Sequence, residues 1–571
     1  MNKRWVVKEE TDKEEAAKLA RELNINNILA NLLVQRGVRT YDEAKKFFRP
    51  ELSHLHDPFL MKDMTQAIDR IEEAFINKEK ILIYGDYDVD GSTAVSLVYS
   101  FIKKFYHSVD FYFPCRYAEG YGISFKGIDY AQENGFSLII ALDCGIKGND
   151  KIDYANERGI DFIICDHHRP GDELPNAVAV LDPKRVDATY PFDELSGCGI
   201  GFKLIQAFAI RNDIPFVELE QYLDLCVISI AADIVPIVCE NRTLSYFGLK
   251  QLNNNPRPGI KAIMEMANVK KDLTISDIVF TIGPRINAAG RMENASHALD
   301  LLLTTNKEDA FTSGEGINVL NKERKTLDTS ITEHALGIIR DDEINLNKKS
   351  TVLFHPEWHK GVLGIVASRL IDKYYRPTIV LTLSNEMITG SARSVKGFDI
   401  YNAIESCADL LEQFGGHKYA AGLMLKPENM DAFTERFEET VASTIEDWML
   451  TAEVDIDSEI NLREISPNFF KVLKQFSPFG PGNMTPVFMS SAVYDSGYAK
   501  VVGSNHLKLA VRQDEYQLPM DCIAFQQGHQ YDLIAKGLPF DICYTIEENE
   551  WNGKTNLQLN IRDIKFQFDY Y

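Results

Sequence analysis

No stretch of the 571 residues approaches the roughly 18 consecutive apolar residues that a membrane-crossing helix needs, which excludes a helical membrane span. The N-terminus also lacks the apolar core of a secretory signal, because Lys3 and Arg4 are soon followed by Lys8 and Glu9. A soluble cytoplasmic protein with no membrane partner is expected. The nine cysteines include no C-x-x-C pair, and Cys165 and Cys226 sit in apolar segments. There a reduced thiol behaves as a small hydrophobe, so all nine are read as reduced thiols. Cations are the other shortage, with 61 Lys and Arg against 84 Asp and Glu, a net charge of −23. Taken alone, that excess of acid disfavours a nucleic-acid partner, since phosphate is neutralised by local Lys and Arg. It counts for less if the acid is gathered at a metal site or away from a groove. Low-complexity sequence is missing as well. Apolar residues make up 45% and charged residues 25%, as in ordinary globular proteins, and the length implies roughly three or four domains.

What is present falls into blocks. Residues 1–75 read as a helical region, with Leu19, Leu23, Ile28, Leu32 and Leu33 at helical spacings. From Ile81 the texture changes to short apolar runs separated by helix-length segments: Ile81 to Tyr84, Val109 to Phe113, Phe136 to Leu142, Phe162 to Cys165 and Ala177 to Leu181. Runs of that length between helices predict a doubly wound parallel sheet, here in a domain spanning 76–292. Helical sequence over 293–345, including the charged stretch Asn321 to Arg340, predicts a connector. A second α/β domain over 346–448 is opened by Thr351 to Phe354 and Thr378 to Leu381. Beyond Leu450, over 449–571, alternation in Val487 to Val493, His506 to Val511 and Leu557 to Ile561, with an Asn552-Gly553 turn signal, predicts a small β-barrel.

The chemistry concentrates at strand ends. The first run of the parallel sheet ends in Asp86-Tyr87-Asp88-Val89-Asp90-Gly91, and in an extended chain the three aspartates would point to one face. Three carboxylates that close repel one another without a cation. A calcium loop of EF-hand type also begins this way, but its twelfth position would be Leu97 where a bidentate Glu is required. A second run ends in Asp143-Cys144, a third in Asp166-His167-His168. A lone terminal Asp is usually a helix N-cap and a lone His a satisfied core residue. Three successive strand ends converge on one crevice in an open α/β sheet, and that coincidence predicts a site. Asp233, at an otherwise apolar helix end, adds a fourth acid that needs a partner or a metal. Oxygen-rich ligation with imidazole suits Mn²⁺ or Mg²⁺ better than Zn²⁺, and a pair of such ions hydrolyses phosphodiesters.

These motifs resemble, in order, those of the DHH phosphoesterases. Over nearly the whole chain the sequence is similar to the RecJ family of that class. The likeness is carried by His56-Asp57-Pro58-Phe59, Gly283 to Arg291 (GPRINAAGR), Trp358-His359-Lys360-Gly361 and Gly415-Gly416-His417-Lys418. The resemblance implies an α/β fold with two lobes, a DHH domain and a DHH-associated domain, followed by an OB-like barrel. It implies a single-stranded-DNA-specific 5′ to 3′ exonuclease of DNA repair and recombination that uses Mn²⁺ or Mg²⁺. Its partners would be single-stranded DNA, a single-strand-binding protein and a helicase. By the same resemblance Asp86, Asp88, Asp90, Asp143, His167 and Asp233 carry over as metal ligands, and His168 and Asp166 as catalytic groups, with Asp166 acting behind the ligands. Arg116, Arg285, Arg291, Ser391, Arg393 and His417 carry over as contacts to substrate phosphate. Gly390 and Gly416 would let the backbone approach that phosphate. The competing readings are a phosphodiesterase for short oligonucleotides or cyclic dinucleotides, made of shorter chains on the same two lobes, and a DNA-binding scaffold with a structural ion.

Overall fold

In the computed structural model, residues 3–9, 11–116, 118–342, 346–551 and 553–566 are described. The chain forms two compact units. One gathers Met1–Gln35, Glu323–Val472 and Pro486–Tyr571, the other Arg36–Lys322 and Leu473–Thr485. The expected helical region is therefore divided at residue 35, and it opens with a strand, β1 (Arg4–Val7), where only helices were expected. The strand exists because of a distant partner, β12 (Glu453–Ile456), with which it pairs in parallel. A four-residue run carries no periodicity from which such a pairing could be read.

The unit built on Arg36–Lys322 holds a five-stranded sheet of β2 (Lys80–Gly85), β3 (Val109–Tyr112), β4 (Phe136–Leu142), β5 (Asp161–Cys165) and β6 (Ala179–Leu181). The order is β3-β2-β4-β5-β6 and every pairing is parallel. Both faces are covered. Ile81, Ile83, Leu138 and Ile140 enter one apolar cluster, and Leu82, Tyr84, Ile139 and Ala141 enter another. Burial on both faces explains why these strands read as continuous apolar runs. The segment Ser296–Leu303, expected to belong to a connector, is instead part of the first cluster through Ala298, Leu299, Leu301 and Leu302. The helix that follows runs over Lys307–Asp341, and the division between the units falls within it.

The other unit contains two sheets of interest. The first has the order β10-β11-β9-β8-β7, from β7 (Thr351–Phe354), β8 (Thr378–Ser384), β9 (Met387–Arg393), β10 (Gln413–His417) and β11 (Ala420–Leu425). The second comprises β13 (Ser458–Glu459), β14 (Phe488–Asp495), β15 (Lys500–Val502), β16 (His506–Arg512), β17 (Met520–Ala524), β18 (Phe540–Trp551) and β19 (Lys554–Phe566). Its order, β13-β14-β18-β19-β17-β16-β15, is closed by an added pairing of β14 with β16. Five strands thus form a ring, the architecture of an OB-fold. Of the expected Asn552-Gly553 turn, Asn552 lies outside the described residues, while Gly553 takes φ 73° and Trp551 pairs with Lys554. No helix among the described residues is long and apolar enough to cross a membrane.

A buried ion pair explains the His56-Asp57-Pro58-Phe59 motif. Lys203 and Glu240 are fully buried with Nζ 2.5 Å from Oε1. Lys203 Nζ also donates to the His56 carbonyl at 3.0 Å, and Glu240 accepts from His56 N at 2.8 Å and from the Tyr190 hydroxyl at 2.5 Å. The pair clamps the backbone at His56 to the sheet-bearing core. Lys203→Met, which strands the Glu240 carboxylate, should lower stability by about 3–5 kcal/mol. Urea unfolding followed by far-ultraviolet circular dichroism, which reads the helices of this unit, measures it, and an unchanged midpoint would show the clamp to be dispensable.

Candidate metal centre

The site begins where β2 ends. Asp88 is the N-cap of the helix Val89–Lys103, its Oδ1 accepting from Gly91 N at 3.1 Å. The chain is therefore helical from Val89 onward and not extended, and the three aspartates do not share one face of a strand as expected. Capping geometry won: an Asp before a helical run satisfies an orphan N–H of the first turn. Asp90, in that first turn, is 2% exposed. Its Oδ1 accepts from Cys198 N and the Ser229 hydroxyl and its Oδ2 from Gly197 N, each at 2.7 Å. Gly197 and Cys198 open the helix Gly197–Arg211, whose N-terminal N–H groups favour an anion. Asp143 follows β4 with φ 60°, and Asp233 caps the C-terminus of the helix Leu223–Ala232.

The imidazole of His167, after β5, ties these groups together. Its Nε2 lies 3.2 Å from Asp143 Oδ1, 3.5 Å from Asp233 Oδ2 and 3.8 Å from Asp90 Oδ2. Among the described residues, two groups have ligand atoms within 4.8 Å of one another: Asp143, His167 and His168, and Asp90, His167 and Asp233. Asp86 Oδ2, Asp143 Oδ1 and both ring nitrogens of His167 are buried without a hydrogen-bond partner. Leaving such atoms unpaired is costly unless a cation takes them. Burial, with the neighbouring carboxylates adding to it, pushes the carboxyls of Asp86, Asp88, Asp143 and Asp233 above the usual range. Burial holds His167 down to about 4, so its imidazole is neutral at pH 7 and offers a lone pair. The donor set fits a divalent metal.

Asp166 is differently placed. Its carboxylate accepts from Ile146 N, His167 N, His168 N and His168 Nδ1 at 2.7–3.1 Å. Burial would raise its pKa, but the hydrogen bond and charge of His168 outweigh this and hold it below the carboxylate range. His168 is lowered by partial burial and raised more strongly by Asp166, to about 9. Its Nε2 lies 3.3 Å from the Tyr121 hydroxyl. Arg116 sits over the Tyr87 ring, 5.1 Å from its centroid, and its charge acts on Asp86. The charge of Arg291 acts on Tyr87 as well. Arg285 donates Nη1 to the Thr281 carbonyl at 2.7 Å.

Ser391, Arg393 and His417 belong to the other unit and form a group of their own. Arg393 and His417 are both register partners of Ala420, so the three share one face of β9-β11-β10. Arg393 Nη1 donates to Ser391 Oγ at 3.1 Å. The expected role of Gly390 and Gly416 is not what the sheet requires of them. A Cβ at Gly390 would lie 2.3 Å from the Leu381 side chain, and one at Gly416 2.3 Å from the Ala420 carbonyl, so both serve strand packing. The bare backbone beside Ser391 comes from its register partner Gly422 and from Gly415 opposite Gly422.

Several contributors escape a reading by sequence. Ser229, Gly197 and Cys198 hold Asp90; the signal that could have found two of them is Ser196, the N-cap before a glycine-rich helix start. Asp182, directly after β6, is buried with Oδ1 accepting from Lys184 N at 2.7 Å and is pushed up to about 7 by burial. Lys184 is a cation whose charge acts on His167 and Asp233. Leu181-Asp182-Pro183-Lys184 reads as a turn, and nothing in it points to this site.

A parallel sheet that brings an aspartate cluster and an Asp-His-His run to consecutive strand ends defines a DHH phosphoesterase. Residues 80–230 match the DHH family N-terminal domain, 347–443 the DHHA1 domain and 456–563 the RecJ OB domain. The chain belongs to the RecJ family. It is 37% identical to the single-stranded-DNA-specific exonuclease RecJ of Bacillus subtilis, over 98% of this chain and 70% of that one. With the RecJ of Escherichia coli it shares 31% identity over 94% of this chain and 95% of that one. The crystal structure of Thermus thermophilus RecJ in complex with Mn²⁺ matches 99% of this chain and 79% of that one, with TM-score 0.85 and 26% identity. Its Mg²⁺ complex matches with TM-score 0.79 and 25% identity, over 99% and 78%.

A Cβ at Gly197 would lie 2.6 Å from Asp143 Cβ. Gly197→Ala should therefore displace Asp143 and weaken Mn²⁺ binding at least tenfold while every ligand remains. Asp143→Asn should lose most Mn²⁺ binding yet melt at or above the parent temperature without metal, because a repelling carboxylate is gone. Calorimetric Mn²⁺ titration and thermal melts in EDTA read both, and Mn²⁺ affinity untouched in Asp143→Asn would remove Asp143 from the site.

Proposed function

We propose that this chain degrades single-stranded DNA stepwise from the 5′ end, releasing 5′-mononucleotides, in DNA repair and recombination. The reading is carried by the buried, unpartnered oxygens and nitrogens of Asp86, Asp143 and His167 beside Asp90 and Asp233. Its support from outside is that relatives in Bacillus subtilis and Escherichia coli are named single-stranded-DNA-specific exonucleases. Asp86, Asp88, Asp90, Asp143, His167 and Asp233 would hold two ions, Mn²⁺ or Mg²⁺. Such ions supply an activated water and stabilise the leaving oxygen of a phosphodiester.

The side chains do the positioning. Asp166 takes the His168 Nδ1 hydrogen at 2.7 Å and so fixes the direction of the ring, whose Nε2, 3.3 Å from the Tyr121 hydroxyl, would exchange that partner for a phosphate oxygen. His168 is assigned to the scissile phosphate, with Asp166 acting through it. Arg116, Arg285 and Arg291 would neutralise phosphates on the unit of the metal ligands. On the other unit Ser391, Arg393 and His417 would take a terminal phosphate, Arg393 offering its planar fork. A duplex would first have to unpair, at about 1.4 kcal/mol per base-pair step, so free single strand is the substrate. A helicase and a single-strand-binding protein would supply such strands and are the proposed partners.

The test uses one oligonucleotide labelled at either end, with Mn²⁺. The 5′ label should appear at once as mononucleotide, and the 3′ label should pass through a ladder of shortening products. Early release of the 3′ label, or cuts in circular single strands, would overturn the reading. Arg393→Ala should reduce the use of 5′-phosphorylated strands by roughly tenfold or more and that of 5′-hydroxyl strands much less.

A further inference from the structure

The helix that follows the metal centre in sequence begins with an irregularity. Residues Ile278–Ile282 form a single π-helical stretch between the short helix Ile275–Asp277 and the helix Gly283–Met292. Such stretches cost regular hydrogen bonding and are concentrated at functional sites. Here the consequence is visible in burial. Ile278 and Ile282 are fully buried, Val279 and Thr281 partly, and Phe280 alone turns outward with 76% of its surface exposed. An isolated exposed apolar residue needs no explanation by itself. The position of this one does.

Both ends of the attached helix adjoin metal-centre residues. At its start, a Cβ on Gly283 would lie 3.7 Å from the Cβ of Ala232, the residue before Asp233. Near its end, a Cβ on Gly290 would lie 2.3 Å from the carbonyl of Tyr87, between Asp86 and Asp88. The helix therefore runs along the carboxylate cluster, and the π-turn projects Phe280 from its Asp233 end. Arg285 is folded back so that its Nη1 meets the Thr281 carbonyl at 2.7 Å, a bond that ties the helix to the backbone of the π-turn. Ile234, next to Asp233, has φ 61° and is 63% exposed, a second outward-facing apolar side chain adjoining a ligand in sequence. An exposed, flat aromatic face is the chemistry that receives a nucleobase, whatever the base.

The geometry points to Phe280 as a stacking surface for one nucleobase of the strand being degraded, set beside the metal ligands by the π-turn. The role rests on the reading of the site as one for single-stranded nucleic acid. It makes Phe280 a positioning residue: it holds the strand in register for cleavage and takes no part in proton transfer or metal binding.

The experiment measures KM and kcat with Mn²⁺ on 5′-phosphorylated oligonucleotides, each carrying one abasic residue at a successive position from the 5′ end. Parent, Phe280→Ala, Phe280→Leu and Phe280→Trp are compared. Stacking one base is worth enough to raise KM roughly 5- to 100-fold when the ring is removed. The parent should show this loss at one abasic position. Phe280→Ala and Phe280→Leu should show it on the intact strand and be indifferent to that same position, while Phe280→Trp should behave as the parent. Identical position profiles in parent and Phe280→Leu would overturn the proposal, as would a loss confined to kcat. A parent that digests single strands with such profiles fails only this inference; a parent inert on every single strand fails the exonuclease reading as well.

Discussion

The structure turns on the repulsion among five carboxylates, Asp86, Asp88, Asp90, Asp143 and Asp233, drawn to the ends of adjoining elements. The protein answers it unevenly. Asp90 receives three donors, from Gly197, Cys198 and Ser229, and Asp166 receives four. Asp86 Oδ2 and Asp143 Oδ1 receive none. Asp166, with all its lone pairs taken, is fixed in direction; Asp90 is fixed almost as firmly yet keeps a lone pair, and Asp86 and Asp143 keep lone pairs that only a cation can use at that depth. Orientation and ligation are thus divided among acids of the same chemical type by the number of N–H and O–H groups aimed at each.

The sheet makes that division possible. In the order β3-β2-β4-β5-β6 the connections turn away in opposite directions after β2 and β4, which opens a crevice between neighbouring strand ends. Asp86 follows one of those strands and Asp143 the other. Asp143 is held in the left-handed region by its N–H bond to the Cys165 carbonyl and by Gly197 packed against its Cβ. A non-glycine residue in that region is sustained only where its surroundings over-determine it, and here the surroundings are the site itself.

The sheet was legible in sequence for the same reason it is stable: strands buried on both faces carry unbroken apolar runs such as Phe136 to Leu142. The strand-end acids were legible because an Asp or His at the end of such a run has no apolar purpose. What remained hidden is non-local. Strand β1 exists through a partner some 450 residues away, by the pairing of Arg4 with Glu453. Ser229 touches Asp90 across a separation of 139 residues. The extended reading of Asp86, Asp88 and Asp90 failed at Asp88, where a local capping bond starts a helix at Val89, before an extended chain could reach Asp90. Ser296–Leu303 looked like linker because its apolar stripe gives no hint of which core receives it.

The excess of acid weighs little against a nucleic-acid substrate once charges are placed. A net charge describes the far field, whereas a phosphate feels groups within about a Debye length, roughly 8–10 Å. Within that range of the carboxylate cluster the charges of Arg116, Arg291 and Lys184 already act on Asp86, Tyr87, His167 and Asp233. Two divalent ions at the ligand set would cancel most of the carboxylate charge there and offer coordination positions to phosphate oxygens, so that the acid cluster itself becomes a place where phosphate can bind. The acids elsewhere then repel a polyanion from the rest of the surface, which leaves the metal centre and its arginines as the favourable place to enter. An acidic chain with a cationic focus is in this respect more selective than a uniformly basic one, because binding away from the site is suppressed by the same charges that the composition reports.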